Sequence, residues 1–152
     1  MSGRIEDVGG GAGIPREFLV RDEFEFVSTD SWLASPFYYF QGNKKEAYSC
    51  LNNPLNFITA TVEFLPFVNE IFDWVHTRSM LDHLQGVDLA LLEARRVLKP
   101  NGHLLIGLCV EGGKSSVISL SHKIKDGIND TLQIVGIDRW KDHHIWHPTY
   151  SA

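Results

Sequence analysis

Cysteine is scarce: Cys50 and Cys109 are the only two in 152 residues. They lie far apart and show no metal-like pairing, which excludes a disulfide-stapled scaffold and reads as two free thiols in a reducing, cytoplasmic setting. Long apolar runs are also missing. The longest of note, Leu104–Val110, is well short of the roughly 20 residues a membrane-spanning helix needs. The opening Met-Ser-Gly-Arg-Ile-Glu-Asp lacks the apolar core of a secretory leader. Cations are few as well: 14 Lys and Arg against 19 Asp and Glu give a net charge of -5. The densest basic clusters are Lys44-Lys45 and Arg95-Arg96, too sparse to neutralise a run of phosphates. Neither nucleic acid nor membrane is expected as a partner. Nor is there an internal repeat or a long low-complexity linker. What the chain does have is 43% hydrophobic residues, including nine Phe, enough for one buried core and too many for disorder. A single soluble domain over residues 1–152 is expected.

The apolar segments alternate in type. Strands are expected at about residues 4–8, 24–29, 55–60, 71–76 and 103–110, bounded by turn-forming residues. Ile14–Leu19 reads as a short helix with Pro15 in its first turn, and helical turns are expected near Lys44–Leu51. Val87–Leu98 carries apolar residues at Val87, Leu91, Ala94 and Leu98, the spacing of an amphipathic helix. Pro100 stops it, and Asn101-Gly102 suits a tight turn with positive φ. Val117–Ile134 reads as a further helix, weakened by Gly127. Strands alternating with helices mean an α/β protein with a mainly parallel sheet, whose ligands bind beyond the carboxyl ends of the strands.

Two features stand at such strand exits. Asp7-Val8-Gly9-Gly10-Gly11-Ala12-Gly13 lets backbone approach a ligand where no Cβ intrudes; a flexible glycine-rich loop is the plain alternative. Asp30 ends the next strand, where a carboxylate can accept from ribose hydroxyls, or can serve as a turn or cap residue. Together they suit either a nicotinamide dinucleotide or S-adenosylmethionine. The dinucleotide fingerprint places a third glycine or alanine where Ile14 stands, which disfavours the former.

Glu63-Phe64-Leu65-Pro66-Phe67, then Phe72-Asp73-Trp74-Val75, then Glu93-Ala94-Arg95-Arg96-Val97-Leu98-Lys99-Pro100-Asn101-Gly102 follow in order. With the glycine loop and Asp30, this ordered set resembles the class I S-adenosylmethionine-dependent methyltransferases, particularly the small-molecule group that includes quinone-biosynthesis-like enzymes. The resemblance covers Ile5 to Val110. It implies a Rossmann-like parallel sheet in the order 3-2-1-4-5 with flanking helices, S-adenosyl-L-methionine as cofactor and S-adenosyl-L-homocysteine as product. Asp7, Gly9, Gly11 and Gly13 would hold the methionine end. Asp30 would bind the ribose, with Ser31 and Trp32 bordering the adenosine. Thr61-Val62-Glu63 matches the adenine-side turn, although Thr61 stands where the family usually has Asp. The Leu-Pro-Phe and Arg-Arg-Val-Leu stretches are expected to be fold-forming.

Methyl transfer is an in-line displacement on an already activated methyl, so the protein supplies mainly geometry and desolvation. A base is needed only when the acceptor must lose a proton. His76 and His83 are the candidates, with Arg78 as an anchor for an anionic acceptor; His76, at the exit of the fourth strand, is also expected to face the cofactor, and a packed or solvated histidine is the alternative for both. His143-His144-Ile145-Trp146-His147 has only Asp142 as a neighbouring carboxylate and reads as an aromatic-anchored loop, so no metal is expected.

The family sheet has seven strands and only five are counted here, without the usual C-terminal β-hairpin. The sequence therefore reads as incomplete at its C-terminus, with the fifth-strand edge covered by Val117–Ile134 or by a second copy in a homodimer. The leading expectation is a methyltransferase acting on a small-molecule acceptor. A cofactor-binding domain without activity and an NAD(P)-dependent oxidoreductase are the alternatives.

Overall fold

The computed structural model describes residues 3–19, 23–32 and 44–108. Their strands are β1 (Gly3–Val8), β2 (Phe24–Asp30), β3 (Asn56–Thr59), β4 (Phe72–Arg78) and β5 (Leu98–Gly107). They form one sheet in the order β3-β2-β1-β4-β5, and every pairing is parallel. This is the expected α/β architecture. The central strand β1 is covered on both faces, as parallel sheets require: Ile5, Glu6, Asp7 and Val8 are all buried.

Two expected segments shift. The helix runs Val87–Val97 and Leu98 is already extended. Its fully buried residues are Ala90, Ala94 and Val97; of the expected stripe, Ala94 is buried and Val87, Leu91 and Leu98 are half-buried. The two alanines present little bulk, so this side of the helix can lie close against its neighbours. The last strand begins before the Asn-Gly turn. Leu98 pairs with Phe72 and His103 with Trp74, so Lys99–Gly102 bulges out within β5. Asn101 takes φ 63° there, as the turn chemistry predicts. Beyond the bulge, Trp74 and His103 stack with ring centroids 4.1 Å apart.

The family-like stretches are indeed fold-forming. Arg96 donates to both carboxylate oxygens of Glu93 at 2.7 and 2.8 Å, to Leu65 O at 2.9 Å and to Phe67 O at 2.7 Å. Glu93 in turn accepts from the Leu65 amide at 2.9 Å. One ion pair thus fastens the helix to the Leu-Pro-Phe segment. Asp73 plays a similar part at the sheet's other end, accepting from the Arg4 amide at 2.8 Å and from Lys99 Nζ at 2.9 Å. These donors hold its carboxyl below the usual carboxylate range, the Arg4 amide foremost.

The expected turns near Lys44–Leu51 are present as a short helix, Lys44–Ala47, and a 3-10 turn, Ser49–Asn52. Cys109, the Val117–Ile134 helix and the His143–His147 cluster lie outside the described residues. Among the described residues no helix is long and apolar enough to cross a membrane, and no cluster of His, Cys, Asp and Glu is arranged to hold a metal.

Candidate functional site

The glycine loop leaves β1 with Gly9, Gly11 and Gly13 at φ of 69°, 52° and 65°, conformations that side chains with a Cβ rarely adopt. Gly10 is required for a different reason. A Cβ there would meet the Asp7 carboxylate and lie 2.7 Å from Ser28 Oγ. The loop is fastened from two sides. The Gly11 amide donates to Asp30 Oδ2 at 3.2 Å, and Ser28 Oγ donates to Gly11 O at 3.2 Å. From the other side Arg16 donates to the carbonyls of Gly13, Pro54, Ala12 and Cys50 at 3.1, 2.8, 3.2 and 3.2 Å.

Asp30 also accepts from the Trp32 amide at 2.9 Å. That is the expected turn-residue role, and Asp30 also lines a cleft.

Two clefts open at the carboxyl ends of the strands. The first, of about 670 Å³, gathers Asp30, Ser31, Trp32, Thr61, Val62 and Glu63. The second, of about 550 Å³, is lined by Asp7, His76, Arg78, Ile14, Phe18 and Tyr48, among others. Gly9 and Ser79 line both. Gly11 and Gly13 line neither; they shape the loop from behind.

The catalytic candidates divide between the clefts. His76 and Arg78 share the second, while His83, exposed on the turn Leu81–His83, lines the first. β4 continues past the expected His76 to Arg78, which puts the two side chains on one face of the strand.

The register pairs Asp7 with His76 across β1 and β4. His76 Nδ1 lies 2.6 Å from Asp7 Oδ1. Burial pushes the Asp7 carboxyl up, and the hydrogen bond from His76 pulls against that rise. Asp7 Oδ2 is buried with no hydrogen-bond partner.

Sequence reasoning missed Met80, Ser79 and Tyr48. Met80 sits against Gly9, where a Cβ would collide with it. Ser79 holds φ 49°, a left-handed conformation that its sequence neighbours do not announce. Its amide is fixed by Gly107 O at 2.8 Å.

Residues 7–106 match the family model described as a methyltransferase domain. Over 65 residues the chain is 37% identical to a ubiquinone/menaquinone biosynthesis C-methyltransferase of Agrobacterium fabrum, covering 43% of this chain and 25% of that protein. The YcgJ protein of Bacillus subtilis has a similar structure, with a TM-score of 0.62 at 20% identity over 97% of this chain and 56% of that one. So does a Methanococcus maripaludis protein described as a candidate S-adenosyl-L-methionine-dependent methyltransferase, with a TM-score of 0.59 at 19% identity over 88% of this chain and 60% of that one. The chain thus spans a quarter of the length of the curated relative and little more than half of the solved structures. It belongs to the S-adenosylmethionine-dependent methyltransferase-domain family.

Proposed function

We propose that this member of the family binds S-adenosylmethionine across the two clefts and transfers its methyl group to a small-molecule acceptor. The observation that carries the reading is the first cleft. It brings Asp30, Ser31 and Trp32 from the end of β2 together with Thr61, Val62 and Glu63 from beyond β3, beside a glycine loop that no Cβ obstructs. When bound, S-adenosylmethionine supplies a methyl on a sulfonium: the S–C pair stays on sulfur and neutral S-adenosylhomocysteine leaves.

In this reading Asp30 accepts from the ribose and the Thr61–Glu63 turn borders the adenine. The glycine loop and Asp7 take the methionine end. His83 borders the adenosine side. His76 and Arg78 face the acceptor side.

Calorimetric titration with S-adenosylhomocysteine, with NAD as the control, tests this. Saturable binding of the first, lost in Asp30→Ala and absent for NAD, is the expected result; no binding of either overturns it. A binding-only role is the second reading. Thr61 favours it, because the hydroxyl replaces the carboxylate expected to accept from the adenine amino group. Cofactor binding without turnover in a broad acceptor screen would select it.

A further inference from the structure

The second cleft has a composition that the cofactor alone does not account for. Its floor is the Asp7–His76 pair, its cation is Arg78, and its walls include Ile14, Phe18 and Tyr48. We infer that this cleft binds the methyl acceptor, and that the acceptor is a ring-bearing hydroxy acid whose hydroxyl proton is taken by His76. The inference rests on the methyl-transfer reading above.

The base is defined by its partner. With Asp7 as the accepting carboxylate, the 2.6 Å contact holds the imidazole proton on Nδ1 and the Nε2 lone pair is left for the cleft. A histidine held this way serves an acceptor that must shed a proton as the new bond forms. A hydroxyl does: its proton passes to His76 Nε2, and the oxygen keeps the O–H electron pair for the methyl group. The imidazole becomes imidazolium beside the buried Asp7 carboxylate, which offsets the charge.

The anion follows from Arg78. Among the described residues it makes no ion pair, yet it lines the same cleft as His76. Two positions along one strand set their Cα atoms about 6.6 Å apart with both side chains on one face, so one aromatic ring carrying a hydroxyl and a carboxylate can engage both. The apolar walls suit that ring. Phe18, 80% exposed, offers a face that a flat ligand would cover. Gly9 and Ser79, shared by both clefts, mark where the acceptor meets the cofactor.

The test uses the full chain saturated with S-adenosylhomocysteine and titrated with 3-hydroxybenzoate. Saturable binding is expected, at least tenfold weaker in Arg78→Ala and for the uncharged methyl ester. His76→Gln should leave 3-hydroxybenzoate binding intact while lowering its methylation by about 100-fold or more. Retained S-adenosylhomocysteine affinity shows that each variant is folded. A chain that binds S-adenosylhomocysteine but not 3-hydroxybenzoate, equal binding by Arg78→Ala, or unchanged methylation by His76→Gln overturns the inference and leaves methyl transfer standing. A chain that binds neither compound removes both.

Discussion

His76 and Asp7 meet across neighbouring parallel strands, register partners whose side chains close to 2.6 Å between Nδ1 and Oδ1. Because Asp7 is buried, this contact is structural as well as chemical: it gives one carboxylate oxygen a partner while the other has none.

His76→Ala should therefore destabilise the fold, by about 1–3 kcal/mol, the cost of stranding a buried acceptor. His76→Gln, which can still donate, should recover part of the loss. Urea denaturation at neutral pH measures both; equal stability of His76→Ala and the unmodified chain would contradict the role.

Glu6 predicts an unusual pH dependence. It is fully buried, it accepts from Thr29 Oγ1 at 2.8 Å, and burial raises its carboxyl from 4.5 to about 7. Below pH 4.5 it is neutral in both folded and unfolded chains and costs nothing. Between 4.5 and about 7 the unfolded chain gives up the proton more readily, so the Glu6 contribution falls as pH rises, by about 3 kcal/mol in all. Glu6→Gln should remove this slope, seen in thermal melts from pH 4.5 to 7.5.

Glu93 works in the opposite direction. Its bonds to Arg96 hold its carboxyl below the ordinary value, and the Leu65 amide adds to this. Its contribution is present above the ordinary glutamate range and is lost as pH falls through the depressed value. Arg96→Ala should cost about 2–3 kcal/mol, since charged hydrogen bonds to Glu93 and to the Leu65 and Phe67 carbonyls go together. Arg96→Lys, with no fork, should restore little of it. Melting curves of the two variants decide this.

Gly10→Ala should disturb the site without straining φ. The added methyl would press on the Asp7 carboxylate and on Ser28 Oγ, at a cost of about 1–3 kcal/mol. S-adenosylhomocysteine affinity should weaken with it. Calorimetry of this variant beside a surface substitution such as Leu92→Ala separates the local effect from general loss of stability.

The sheet was readable because most strands left a run of apolar or β-branched residues between turn signals, although the buried β1 carries Glu6 and Asp7 and the apolar run of β5 is partly exposed. Asp30 was readable because it stands where a strand ends, and the Thr61–Glu63 turn only through the family resemblance. The pairing of Asp7 with His76 was not. It depends on the relative stagger of β1 and β4, which no local pattern encodes. The left-handed Ser79 was hidden too, since its backbone is set by a bond to Gly107, 28 positions away. The helix stripe was legible in part: Ala94 is buried as expected, whereas the buried Ala90 and Val97 were passed over.

The four carbonyls gathered by Arg16 come from two places, Ala12 and Gly13 in the glycine loop and Cys50 and Pro54 just ahead of β3. Ala12, Cys50 and Leu51 also bury one another, with Ile14 and Tyr48 packed alongside. Breaking any one of these contacts frees little, because the guanidinium still holds the rest. Amide protons on both sides of this knot, such as those of Gly13, Leu51 and Asn53, should consequently exchange with solvent at a common rate, as one opening event. Replacing Arg16 should split that single event into two faster ones.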